Sequence, residues 1–324
     1  MENCDLEKFD NVLEYICLEL QKSLKIMPLE YKTKVEEIRL RNSCPLIISF
    51  EGQDYFINAQ GKLTKDYGKS IKVSKENIDK TFKLISNYSI YAFEEEIRNG
   101  FITLKGGHRV GIAGKVIYKD HGIDTIRDIS SLNIRIAREK KGVSEHILKY
   151  IISMVNKKIY NTLIISPPQC GKTTLLRDII RNLSNGFHLL DKGFKIGVID
   201  ERSELAGMYN GVPQHDIGIR TDVLDGCNKK DGTNMLLRAM SPDIIAMDEI
   251  GSISDIEAIH ESLKAGVNIL ATVHGNNIQD LISRHSLKIL IEERIFERYI
   301  FLDNSRGVGT VKDILEGKKF TSIM

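Results

Sequence analysis

The chain has no tryptophan, and only 7% of its residues are aromatic. It therefore lacks the aromatic platform, interleaved with basic residues, on which single-stranded bases stack. Charge of one sign is also scarce: 46 Lys and Arg stand against 44 Asp and Glu, a formal net charge of +2. That balance leaves no overall electrostatic footprint for nucleic acid, and any basic patch must be local. The five cysteines, Cys4, Cys17, Cys44, Cys170 and Cys227, show neither CxxC nor zinc-ligand spacing, which argues against a disulfide framework or a metal site and for a reducing compartment. Long apolar runs are missing too. The opening MENCDLEKFD has no basic stretch followed by an apolar one, and HILKYIISMVNKKIYNTLIIS is broken by lysines. Neither a signal peptide nor a transmembrane helix is expected, and any membrane role must come through a partner.

What is present is ordinary for a globular protein: 42% hydrophobic and 28% charged residues over 324 positions, enough for two domains with a core each. Phe9, Val12, Leu13, Ile16, Cys17 and Leu20 fall at helical spacing and predict an N-terminal amphipathic helix. From Val35 short β-prone runs broken by Asn, Ser, Pro and Gly predict a small sheet. The polar KDYGKSIKVSKENIDK reads as loop and helix start, leading into a helix over about residues 75–99. Strands follow in GFITLKGGHRVGIAGKVIY and SLNIRIAR. In KKGVSEHILKYI, Ser144 is a candidate N-cap. Behind it apolar runs alternate with helical patterns: TLIIS and TTLLRDIIRNL, KIGVID, NMLLRAM and DIIAMD, DIEAIHESLKAG and VNILATV. Strands separated by such helices imply βαβ units and a mainly parallel sheet. The expectation is an α+β N-terminal domain over residues 1–145 and an α/β domain over 146–324.

The segment SPPQCGKTTLLRD carries the chemistry. A phosphate chain needs backbone N–H groups converging where a loop opens a helix, a lysine for the outer phosphates and a hydroxyl for Mg²⁺. Gly171, Lys172 and Thr173 supply these between an apolar strand and a helix. Ser166 stands at the loop entry and Gln169 where a positive φ is wanted; a left-handed serine costs roughly 1 kcal/mol, an effect on affinity and not on chemistry. SPDIIAMDEIG takes a buried strand to Asp248, a Mg²⁺ ligand candidate beside Thr173, and Glu249, which would orient the attacking water. KIGVIDERSELAG is a second strand ending in acids, Asp200, Glu201 and Glu204, and NILATVHGNN places His274 beyond a third, where a γ-phosphate sensor belongs. Phosphoryl transfer also needs positive charge at the transition state; Arg109 and Arg135, each inside a β-prone run, are the candidates.

Together PPQCGKTTLLRD, VIDERSELAG, SPDIIAMDEIG and ATVHGNN resemble the stage III sporulation protein AA family, as do VEEIRLR, RNGFITLKGGHRVGIAG and ISSLNIRIAR in the front half. The resemblance implies an ATPase similar to the type II and type IV secretion ATPases, with a RecA-like P-loop NTPase domain behind a smaller N-terminal domain. It also implies ATP and Mg²⁺ as ligands and a ring homo-oligomer, a hexamer by similarity to those ATPases. The loop from Ser166 through Pro167, Pro168, Gln169, Cys170, Gly171 and Lys172 to Thr173 and Thr174 would cradle the nucleotide, with Ser166 and Gln169 replacing glycines usual there. Asp248 and Glu249 would form the second acidic motif, Asp200 to Glu204 the aspartate box and His274 the histidine box. Arg109 and Arg135 would reach the nucleotide. The family's role implies a cytoplasmic motor that energises a channel between mother cell and forespore, working with membrane proteins encoded beside it. Which acid orients the water stays open between Glu249 and the aspartate box. A nucleic-acid motor and a nucleotide-gated scaffold with little turnover are the alternatives.

Overall fold

The fold comes from a computed structural model that describes residues 2–119, 122–153, 155, 157–188, 190, 192–305 and 307–324. Its contacts divide the chain into two compact units, Met1–Arg138 with Gly207–Gln214, and Glu139–Ala206 with His215–Met324. No described helix is long and apolar enough to cross a membrane.

In the first unit the N-terminal helical pattern makes two helices, Glu2–Leu13 and Leu18–Lys25. The break falls at Cys17, whose backbone is extended and whose N–H goes to Thr81 Oγ1 at 3.2 Å. The apolar stripe survives the break: Phe9, Val12, Leu13, Ile16, Cys17 and Leu20 are all buried in one core. They pack with Ile38, Leu40 and Ile48, which alternate along an antiparallel sheet as a period of two requires. Its strands are β1 (Glu37–Arg41), β2 (Ile47–Phe50), β3 (Gln53–Ile57), β4 (Leu63–Thr64), β5 (Phe101–Thr103), β6 (Arg109–Lys119) and β7 (Gly122–Arg135). They run in the order β4-β3-β2-β1-β7-β6-β5. The helix expected over about residues 75–99 starts with a Ser74 and Asn77 capping box but stops at Ile85. Ser86 turns its hydroxyl back onto Phe82 O, Asn87 and Tyr88 take left-handed φ of 45° and 59°, and a new helix begins only at Glu94. Arg109 and Arg135 lie directly opposite each other on β6 and β7. Such like-charged pairs repel, and here Glu37 accepts Arg135 Nε at 3.4 Å while the Phe101 ring lies 3.7 Å under Arg109.

The second unit is a seven-stranded, mainly parallel sheet. Its strands are β8 (Thr162–Ser166), β9 (Ile196–Asp200), β12 (Thr221–Asp225), β13 (Ile244–Met247), β14 (Asn268–His274), β15 (Arg298–Asp303) and β16 (Thr310–Glu316); the short pair β10 (Met208–Tyr209) and β11 (Val212–Pro213) belongs to the first unit. The order is β12-β9-β13-β14-β8-β15-β16, with only β15 and β16 antiparallel. Every residue of β8, β9 and β13 is buried, as expected where helices cover both faces. The crossovers are the helices Lys172–Asn185, Lys229–Ala239 and Ile253–Lys264. Gly197 lets one of them approach β9: a Cβ there would lie 2.7 Å from Leu236 Cδ1. Ser144 does not cap a helix with its side chain. It is fully buried, and its N–H and hydroxyl both donate to Asp178 Oδ2 at 2.8 Å. Asp178 also accepts Gly142 N–H and Arg181, so a carboxylate on the Lys172–Asn185 helix anchors the segment that enters the unit.

In the first unit's core His108 accepts the Ala137 N–H on Nδ1 at 3.1 Å, and its Nε2 is buried without a partner. Burial, and then the charge of Lys8, push this imidazole down to about 4. The unfolded chain binds a proton near pH 6.5, so stability present above that pH is lost as pH falls toward 4. Full-chain urea titrations from pH 7 to 4 are expected to show a loss on the order of 3 kcal/mol that His108→Gln does not share. Parallel curves for the two proteins would refute the assignment.

Candidate functional site

Four parallel strands end on the same side of the second sheet, where open α/β sheets bind ligands. β8 delivers the loop Pro167 to Gly171. Ser166 is the last strand residue, fully buried and paired with His274 of β14. Its φ is not positive. The left-handed positions are Gln169, φ 61°, and Gly171, φ 87°. Gly171 is where glycine is required, since a Cβ would come within 3.0 Å of Gly309 N and Val308 Cγ1. Cys170 is buried, with its carbonyl accepting the Gly309 N–H at 2.9 Å, while Pro168 and Gln169 are exposed. The first helical hydrogen bond runs from Leu175 N to Gly171 O at 2.9 Å. That leaves the amides of Lys172, Thr173 and Thr174 without intrahelical acceptors, at the positive end of a helix dipole.

Lys172 is 7% exposed. Its ammonium lies 2.8 Å from Glu249 Oε1 and 3.8 Å from Asp248 Oδ1. Thr173 Oγ1 donates to Asp248 Oδ2 at 2.6 Å. Thr272, in the middle of β14, donates its hydroxyl to Asp248 Oδ1 and accepts the Glu249 N–H at 3.0 Å. His274 Nε2 sits 2.9 Å from Glu249 Oε1, its Nδ1 is buried without a partner, and Arg202 pairs with Glu249 Oε2. Glu249 holds a left-handed φ of 53°, a strain of roughly 1 kcal/mol concentrated at the site. Burial raises the Glu249 carboxyl, but the Lys172 ammonium, Arg202 and His274 outweigh it and hold the group down at about 2.

The acids after β9 divide. Asp200 is 2% exposed, and its two oxygens accept the N–H groups of Glu204, Leu205 and Ala206 at 2.8, 3.1 and 2.8 Å. Burial raises its pKa and those amides pull it back, the net shift being upward. Asp200 thus folds its own loop. Arg177, buried on the Lys172–Asn185 helix, donates to the carbonyls of Leu205 and Glu204 and closes the loop from the other side. Glu201 faces Lys229 Nζ at 2.5 Å. Asp200, Glu201, Glu204, Asp248 and Glu249 line a small cleft with Arg202 and Lys229. It encloses about 30 Å³, room for one or two waters.

Of the residues singled out from sequence, the structure gathers Lys172, Thr173, Asp248, Glu249 and His274 into one bonded cluster, with Glu201 and Glu204 on the adjoining cleft. Arg109 and Arg135 belong to the first unit. Sequence reasoning missed Arg202, Lys229 and Thr272. Thr272 had a signal, a hydroxyl inside an otherwise apolar buried strand, and Arg202 stood within the acidic segment; Lys229 had none.

Residues 6–321 match the family model described as "Sporulation stage III, protein AA". Stage III sporulation protein AA of Bacillus subtilis (strain 168) is 41% identical over 307 residues, covering 95% of each chain. Among solved structures, the chain is similar to the Legionella pneumophila ATPase DotB, with a TM-score of 0.52 at 16% identity over 87% of this chain and 74% of that one. It is also similar to the pilus retraction motor PilT with bound ADP, with a TM-score of 0.53 at 14% identity over 87% and 76% of the two chains. At these identities the likeness is one of fold alone.

Thr272→Val keeps the shape of that side chain and strips a hydroxyl from between Asp248 and the Glu249 amide. Loss of about 1–3 kcal/mol is expected for the polar groups left unpaired, read as a lower urea midpoint, with Thr272→Ser restoring most of it. An unchanged midpoint for the valine variant would show that the hydroxyl does not support the acidic pair.

Proposed function

The chain belongs to the stage III sporulation protein AA family, and from that premise we propose that it is a Mg²⁺-dependent ATPase of the secretion type, energising a channel or assembly between mother cell and forespore. One observation carries the reading: a helix N-terminus with free amides presents a buried lysine and a threonine directly to the acidic pair at the end of β13, a parallel strand separated from β8 only by β14. A helix start with an aspartate opposite it is common; this four-residue closure, Lys172 on Glu249 and Thr173 on Asp248, is the arrangement a triphosphate and its metal would open.

The donor set fits Mg²⁺. Among the described residues no cluster of three or more His, Cys, Asp or Glu forms a metal site, and Mg²⁺ needs none, being held through one or two protein oxygens, waters and phosphate. Thr173 Oγ1 and Asp248 would be its protein side. Bound there, the ion would neutralise charge developing on the outer phosphates. Lys172, with Glu249 as its counter-ion, would exchange that carboxylate for phosphate oxygens, while the amides of Gly171 to Thr174 hold the remaining charge. The attacking water belongs in the acidic cleft, where Glu249 and the aspartate-box acids Asp200, Glu201 and Glu204 lie. His274, bonded to Glu249, would report the outer phosphate to β14.

Transition-state charge also calls for arginine. Arg109 and Arg135 lie opposite each other on β6 and β7, with Arg39 and Arg135 both paired to Glu37, and we assign the two arginines to the nucleotide on assembly of a ring of identical chains. The membrane proteins of the sporulation channel are the proposed partners, and nucleic acid is not.

Lys172→Ala is expected to leave the circular dichroism spectrum intact and to cut steady-state phosphate release by 10³ or more, about 4 kcal/mol of transition-state stabilisation. Turnover at the wild-type rate in this variant would end the ATPase reading. Specific activity should climb with protein concentration as copies assemble. In Arg135→Ala it should stay flat; a concentration curve matching wild type would remove that arginine from the site.

A further inference from the structure

Lys229 belongs to none of the nucleotide motifs, yet it is 5% exposed and lines the acidic cleft. Its placement is unfavourable twice over. It is the first residue of the Lys229–Ala239 helix, behind an Asn228 cap, and a cation there faces the positive end of the helix dipole. It is also a buried ammonium, which needs a close anion to be tolerated. That anion is Glu201, whose Oε2 lies 2.5 Å away and whose side chain is 43% exposed toward the cleft. Three of the other acids there are occupied differently: Asp200 by three backbone amides, Asp248 by Thr173 and Thr272, Glu249 by Lys172, Arg202 and His274. Glu201 is thus the cleft carboxylate fixed from behind by a single buried cation, with its other side toward the space for water.

We infer that Lys229 is a positioning residue that holds the Glu201 carboxylate against the water cleft, making Glu201 the acid that orients the attacking water in the proposed ATPase reaction. The inference rests on that ATPase reading. Water attacks the γ-phosphorus, its proton passes to the Glu201 carboxylate or onward to bulk water, and the bond from the γ-phosphorus to the β,γ-bridging oxygen breaks to leave ADP and inorganic phosphate. Lys229 acts through Glu201 rather than on the reacting atoms. It removes the freedom of Glu201 to swing into solvent, which a half-exposed glutamate on a loop otherwise has.

The test uses the full chain with Lys229→Met, Lys229→Arg, Glu201→Gln and the double variant Lys229→Met with Glu201→Gln. For each, kcat is measured with Mg-ATP, and affinity with a non-hydrolysable ATP analogue. Lys229→Met is expected to slow turnover by about 30-fold or more while analogue affinity stays within about twofold of wild type, and Lys229→Arg to recover the rate to within about fivefold. In the Glu201→Gln background, Lys229→Met should lower kcat no further. Multiplicative losses in the double variant would overturn the inference by showing that Lys229 acts apart from Glu201. So would wild-type turnover in Glu201→Gln, a rate that itself shows the variant to be folded. Wild type that binds no analogue and releases no phosphate sinks the ATPase reading itself and takes the inference with it; a hydrolysing wild type with unaffected variants sinks the inference alone.

Discussion

The Lys172 ammonium is the charge around which the second unit's strand ends are arranged. Held almost out of solvent, it needs close anions, and breaking such a buried pair from one side typically costs about 3–5 kcal/mol. Glu249 and Asp248 supply the anions, and each is itself held: Glu249 by Arg202 and His274, Asp248 by Thr173 and Thr272. Four strands and one helix therefore meet at a single cluster. With Glu249 held at about 2 by its cationic neighbours, the cluster keeps that carboxylate ionised through the physiological range. An anion that competed for Lys172 would change the cluster's state, and the amides at the start of the adjoining helix suit such an anion; in the proposed reading it is a triphosphate.

The loop after β9 shows how one acidic segment serves two purposes. Asp200 spends both carboxylate oxygens on the amides of Glu204, Leu205 and Ala206, folding the chain back so that Glu201 and Arg202 project into the cleft on one side. Arg177 clasps the same turn from the helix that begins at Lys172. The helix that begins at Lys172 and the turn after β9 are therefore tied together through Arg177.

The parallel sheet and the strand, loop and helix around Lys172 were legible because they are written locally: an apolar strand, a glycine and lysine at a helix start, acids at strand ends. Pairings that topology creates were not. Thr272 meets Asp248 only because β13 and β14 are neighbours, and Lys229 meets Glu201 across a whole strand and turn. The first unit shows the limit of periodicity in another way. Spacing predicted helix through residue 99, but period alone cannot register Ser86 bonding back to Phe82 or the left-handed Asn87 and Tyr88 that follow. Ser144 read as a cap from its position before an apolar run; its true partner, Asp178, lies on a helix that the sequence places far downstream.

The same distinction settles how the two departures from a glycine-rich loop act. Ser166 closes β8 as a buried, strand-paired residue whose hydroxyl bonds to Pro167 O at 2.9 Å. Its backbone is not left-handed, so nothing in its conformation calls for glycine, and the strain expected from sequence does not arise there. Gln169 is different: it does adopt φ 61°, with its side chain exposed, and that conformation costs a non-glycine residue roughly 1 kcal/mol. The strain sits three residues before Lys172 and touches none of the groups that meet phosphate or metal. Its effect falls on how readily the loop holds its nucleotide-ready shape, while the charge arrangement at Lys172, Asp248 and Glu249 is left whole.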